Sequence, residues 1–158
     1  MIRVGVIAAM GYAGRELLRL AASHPEIKVT ATVELESGKK LAEAMPAFEK
    51  VYDVELETFD ADALARKCDV VFLALHGGKG IPIVSALRKA GVRVIDMGPD
   101  FRIKNVQLFK QYYGVEHTAP ELLPDAVYGL VPYYREALRD AVLVAVPGCY
   151  PISVIMPL

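Results

Sequence analysis

Short apolar runs alternate along this chain with segments whose apolar positions recur at helical spacing. The first run, residues 2–8, predicts a strand. Residues 12–23 place Leu17, Leu18, Ala21 and Ala22 on one face, which predicts a helix ended by His24-Pro25. A second strand is expected over 27–33, a short helix within 38–45 and a short strand over 54–59. Asp60 is placed to cap a helix running through Arg66. Residues 70–75 predict a buried strand, 81–90 a helix closed by Gly91, and 92–97 another strand. After a polar and aromatic stretch, helices are expected over 106–113 and 133–138, a last strand over 142–146, and a helix from Pro151 onward.

Strands that are apolar throughout, separated by helices, argue for a mostly parallel sheet covered on both faces. The best match is α/β: a doubly wound, Rossmann-like nucleotide-binding fold. The apolar ending "ISVIMPL" leads to the expectation that a further domain follows.

Composition narrows the class. Hydrophobic residues make up 54% and charged residues 23%, as in a globular protein. No apolar run is long enough to span a bilayer, and the chain enters a strand at once, so no signal peptide is expected. Two cysteines, Cys68 and Cys149, do not make a disulfide framework, so a cytoplasmic, reducing setting is expected. A net charge of -1 gives no electrostatic reason to expect nucleic-acid or membrane partners.

Three stretches carry candidate chemistry. "VGVIAAMGYAGRELL" places Gly11 and Gly14 between the first strand and the first helix. Glycine there permits a tight turn, close approach of a pyrophosphate to backbone, and packing of helix on strand; the helix start offers free N–H groups. With Tyr12 and Ala13 these glycines are candidate cofactor contacts. Ala8 and Ala9 stand where a first glycine is expected, and alanine suits the turn only at negative φ. Glu34, at the end of the second strand, can bond a ribose 2′-hydroxyl, which favours NAD; Lys39 and Lys40 could instead meet a 2′-phosphate. In "LALHGGKG", Gly77, Gly78 and Gly80 follow a parallel strand at the end where ligands bind, with His76 beside them. The bland readings are an ordinary strand-to-helix turn, a solvated Glu34 and a flexible glycine loop.

The third stretch is "AVPGCYP". Cys149 follows a strand and precedes a helix that Pro151 can open. A thiol at a helix start faces the positive end of the dipole, which favours the thiolate nucleophile. The plain alternative is a small buried hydrophobe. Cys68, just before a buried strand, reads as structural.

The chain resembles the N-acetyl-gamma-glutamyl-phosphate reductase family along its whole length. The resemblance rests on "VGVIAAMGYAGRELLRLAASHPE", "DVVFLAL", "VIDMGPDFRIK", "YYGVEHTAPELL", "AVYGLVPYYRE" and "VPGCYP". It implies an arginine-pathway enzyme that reduces an acyl phosphate to a semialdehyde with NADP(H), through a thioester on Cys149. NAD(H) stays open because of Glu34. It also implies a small-molecule acyl-phosphate substrate, a homo-oligomeric full-length protein, and a division in which residues 1–146 form an NAD(P)-binding domain and 147–158 start an α+β catalytic and dimerisation domain. Asp100, Phe101 and Arg102 match the family pattern, and Arg102 could hold an anionic group near the cysteine or form a structural ion pair. The family's acid–base histidine matches none of His24, His76 and His117, so this stretch alone is expected not to turn over substrate. Departures are Ala8 for a glycine, Met10 for Thr or Ser, Val33-Glu34 for Ser-Arg, and Val146 for an Asn. No metal is implied. A related acyl-phosphate reductase for aspartyl or aminoadipyl phosphate, and an inert nucleotide-binding module, are the alternatives.

Overall fold

The computed structural model describes residues 1–34 and 38–157. Seven strands form one sheet: β1 (Ile2–Ile7), β2 (Ile27–Val33), β3 (Leu56–Glu57), β4 (Val70–Leu73), β5 (Arg93–Asp96), β6 (Ala126–Tyr128) and β7 (Leu143–Ala145). Their order is β3-β2-β1-β4-β5-β7-β6, and every pairing is parallel. The order reverses between β1 and β4, where an open α/β sheet leaves a crevice at the strands' carboxyl ends.

Parallel neighbours require crossovers, and these are helical. The helices are α1 (Tyr12–Ala22), α2 (Leu41–Ala44), α3 (Ala61–Lys67), α4 (Gly80–Lys89), α5 (Val106–Tyr113), α6 (Val131–Arg139) and α7 (Cys149–Ile155). On one face, Leu64 of α3, Ile81, Val84 and Leu87 of α4 and Phe109 of α5 pack on Val71, Leu73, Val94 and Leu143. On the other, Leu18 and Ala21 of α1 and Leu41 of α2 pack on Val4, Val6 and Val29. Successive β-residues point to opposite faces, so β4 sends Val71 and Leu73 to the first core and Val70 and Phe72 towards the second.

Several boundaries differ from the sequence pattern for physical reasons. The apolar runs of β4 and β5 outlast their strands, because Ala74, Leu75 and Met97 line the crevice beyond the sheet. Helix α6 gains an opening turn from Val131, with Pro132 where a missing N–H is harmless, and non-helical Tyr134 (φ -119, ψ 19) kinks it between that turn and the stretch the pattern predicts. Helix α7 starts at Cys149 rather than Pro151, with Gly148 as its extended N-cap. Strand β6 had no forecast; three residues are too few to show a period. Ala8 overturns the expectation of negative φ: it lies at φ 60 and turns the chain in the left-handed region.

Candidate active site

The turn after β1 is built by close packing. Ala8 turns the chain at positive φ, Gly11 N donates to Ala8 O at 3.2 Å, and Gly11 caps α1 in extended conformation without any side-chain cap. The first-turn N–H groups of α1 are therefore left to a ligand or to water. A Cβ on Gly14 would lie 2.3 Å from Ala8 O and 2.8 Å from Ala9 Cα, so only glycine lets α1 approach β1 this closely. At Gly11 the nearest atom to an added Cβ is Ala8 O at 3.4 Å, and the space beside it is otherwise open.

In front of this turn lies a cavity of about 540 Å³, lined by Ala13, His76, Gly77, Arg102, Val146 and Cys149 among others. An apolar slot of about 220 Å³ lies on the other side of Leu75, which lines both, and is bounded by Ala8, Val33, Glu34, Phe59 and Ile83. Glu34 Oε1 accepts the Met10 N–H at 2.5 Å, so this carboxylate ties the end of β2 to the turn after β1. The two depressions, with open helix amides between them, fit an elongated ligand with an anionic middle and flat ends. That is the outline of a nicotinamide dinucleotide.

Cys149 is the first residue of α7 and is exposed at the cavity wall. Its loop is fastened from below. Arg102 donates from Nε to Val146 O at 2.7 Å and from Nη2 to Met97 O at 2.8 Å, while Val146 N donates to Asp96 O at 2.8 Å. Arg102 forms no ion pair among the described residues; it serves as a clamp on two carbonyls.

The glycine loop after β4 is held by Asp100, which is 1% exposed. Its Oδ1 accepts Gly78 N at 2.7 Å and its Oδ2 accepts Gly80 N at 3.1 Å, capping α4. Gly78 stands at φ 80, a left-handed position suited to glycine. Its amide is engaged by Asp100, whereas Gly77 borders the cavity. Asp96, at the end of β5, is fully buried, and burial pushes its carboxyl up to about 7, with the charge of Asp100 adding to the rise and the Gly98 amide and Arg102 opposing it. Asp96 belongs to no motif that marks it in the sequence; its one signal there is an acid closing an apolar strand in "VIDM".

The remaining candidates separate. Tyr12 is 96% exposed and borders a different depression with Arg15, Met45 and Phe48. Lys40 pairs with Asp53 at 2.9 Å. His117 is buried between Phe101 and Phe109, with Nε2 3.0 Å from Asp100 O; burial lowers its pKa, as befits a structural histidine. Cys68 is buried 3.5 Å from Thr30 Oγ1, and burial pushes its thiol up. Among the described residues no cluster of His, Cys, Asp or Glu is suited to hold a metal, and no helix is long and apolar enough to cross a membrane.

The chain is 45% identical over 159 residues to N-acetyl-gamma-glutamyl-phosphate reductase of Desulforamulus reducens, an alignment covering 100% of this chain and 46% of that protein. It is 44% identical over 158 residues to the enzyme of the same name from Neisseria meningitidis serogroup C, covering 99% of this chain and 45% of that protein. The chain thus spans about half the length of the curated relatives it matches. In fold it is similar to aspartate semialdehyde dehydrogenase with NADP from Candida albicans, with a TM-score of 0.72 at 18% identity, covering 99% of this chain and 45% of that one. The enzyme of that name from Francisella tularensis gives a TM-score of 0.64 at 16% identity, covering 97% and 38%. Residues 3–141 match the family described as semialdehyde dehydrogenase, NAD binding domain, and with this fold and crevice the chain belongs to that family.

Proposed function

We propose that this chain forms the cofactor-binding, cysteine-bearing part of an N-acetyl-gamma-glutamyl-phosphate reductase, which reduces N-acetylglutamyl 5-phosphate to N-acetylglutamate 5-semialdehyde in arginine biosynthesis. The observation that carries this reading is the placement of Cys149 in the wall of the cavity that also contains Ala13 at the start of α1 and Gly77 of the glycine loop. The 45% identity to a reductase of that name supports the choice of substrate.

The chemistry assigned to the chain's own residues is covalent capture. The Cys149 sulfur attacks the acyl carbon, a C–S bond forms, the C–O bond to phosphate breaks, and inorganic phosphate leaves. Arg102 fixes the loop bearing Cys149 so that attack starts from one geometry. The uncapped amides of α1 would hold the pyrophosphate, and the apolar slot beside Glu34 would hold the adenosine end. When bound, a reduced nicotinamide supplies the hydride that converts the thioester to the aldehyde and frees the thiol. The acid–base group of the family corresponds to none of His24, His76 and His117.

On the form of the cofactor, the family resemblance points to NADPH and Glu34 points to NADH. A carboxylate at the end of β2 bonds ribose hydroxyls and repels a 2′-phosphate.

The test is incubation of the chain with an acyl phosphate, followed by mass spectrometry. A hydroxylamine-sensitive acyl adduct on Cys149, absent in Cys149→Ala, is expected. No adduct on Cys149 despite saturable dinucleotide binding would favour an inert nucleotide-binding module.

A further inference from the structure

We propose that Asp96 is a positioning residue of the crevice: while its carboxyl is neutral, Asp100 holds the glycine loop 77–80 against the sheet edge, and ionisation of Asp96 loosens that hold. Asp96 and Asp100 are 0% and 1% exposed. Both converge on Gly80, the first residue of α4: a Cβ there would lie 2.9 Å from Asp100 Oδ2 and 3.8 Å from Asp96 Oδ1. The two acids differ in their partners. Both oxygens of Asp100 accept backbone amides, at 2.7 Å from Gly78 and 3.1 Å from Gly80, which suits an acceptor-only carboxylate. Asp96 Oδ1 accepts Gly98 N at 2.9 Å, but Oδ2 has no partner among the described residues. That free oxygen is where a proton resides, because two buried carboxylates facing one point disfavour double ionisation.

The surroundings agree. Asp96 lies between Leu73 of β4 and Ala145 of β7, neither of them charged. The charged groups acting on it are Asp100, which favours the neutral acid, and Arg102, which opposes it. His76, Tyr113 and Cys149 line the cavity beyond the loop that follows it. Ionising Asp96 sets a second negative charge against Asp100 at the foot of α4, and the Asp100 bonds to Gly78 and Gly80 are the contacts that loop would lose.

The sign of the pH dependence follows from the burial of Asp96. Its folded-state value, about 7, lies above the ordinary carboxyl value of about 3.9. Its contribution to stability is complete below about pH 4 and is lost as pH rises through about 7. The experiment is hydrogen exchange at the Gly78 and Gly80 amides from pH 5 to 8, corrected for intrinsic rates, in the wild-type chain, Asp96→Asn and Asp100→Asn. We expect wild-type protection to fall about tenfold across the range, the equivalent of one pKa unit of coupling. Asp96→Asn should stay flat, and Asp100→Asn should lack protection throughout. Flat wild-type protection, or the same fall in Asp96→Asn, would overturn the proposal; should Asp96→Asn not fold, the wild-type profile alone decides. The link to the crevice rests on its reading as a dinucleotide site, so NADH and NADPH affinities are followed over the same range. No binding at any pH would sink that reading, while the exchange data still judge the loop.

Discussion

Arg102 and Val146 join the two loops that frame the crevice: the Arg102 guanidinium donates from Nε to the Val146 carbonyl at 2.7 Å, three residues before Cys149. The same group reaches Met97 O at 2.8 Å, so one side chain sets the spacing between the ends of β5 and β7. Replacing it with alanine leaves two carbonyls without donors. Hydrogen bonds from a charged group contribute about 1.5–3 kcal/mol each, and partial solvent access reduces the loss, so Arg102→Ala should destabilise the chain by roughly 2 kcal/mol in urea titration. Arg102→Lys should recover only part of this, since one ammonium does not reproduce the fork.

Ala8 takes φ 60 in the turn after β1. A left-handed conformation costs an L-residue about 1–2 kcal/mol, offset in part by the entropy glycine loses on folding. Ala8→Gly should therefore stabilise the chain by about 0.5–1 kcal/mol, read as a raised urea midpoint at unchanged slope.

The two glycines of that turn should respond differently to the same change. In Gly14→Ala the new methyl meets Ala8 O at 2.3 Å, a backbone atom that cannot yield cheaply. Overpacking of this kind costs about 1–3 kcal/mol, so both stability and dinucleotide binding should fall. Gly11→Ala meets nothing closer than 3.4 Å. It should melt close to wild type and yet bind dinucleotide more weakly, because its methyl enters the open space beside the helix amides.

Cofactor preference should follow the charge at residue 34. Glu34 already reaches the turn through Met10 N at 2.5 Å, beside the apolar slot. Glu34→Arg should shift the ratio of NADPH to NADH affinity towards NADPH by about tenfold or more, the equivalent of about 1.4 kcal/mol. Titration by nicotinamide fluorescence measures both; an unchanged ratio would remove Glu34 from cofactor recognition.

Much of this arrangement was legible in the sequence where local physics decides it. Helix α5 has the expected bounds because Asn105 caps it through Leu108 N and Gly114 ends it at φ 69. Asp60 caps α3 through Ala63 N as the pattern implied. Strand β2 matches residue for residue, its run having no competing signal. The glycine turn and the setting of Cys149 at a sheet rim were legible too. What escaped depends on contacts between distant segments. The partners of Arg102 are backbone carbonyls, which leave no trace in residue identity. Asp96 and Asp100 converge on Gly80 only because the sheet order sets β5 beside β4. The left-handed Ala8 broke a local preference that the packing of α1 on β1 overrides.

The central claim is that the Cys149 sulfur and a nicotinamide dinucleotide occupy one crevice. The direct measurement is the alkylation rate of each cysteine, by peptide mass spectrometry, against rising dinucleotide concentration. Exposed Cys149 should label readily and lose reactivity along the same saturation curve as dinucleotide binding, while buried Cys68 stays unlabelled until the chain unfolds. Saturable dinucleotide binding with Cys149 labelling unchanged would place the two in separate sites and contradict the account.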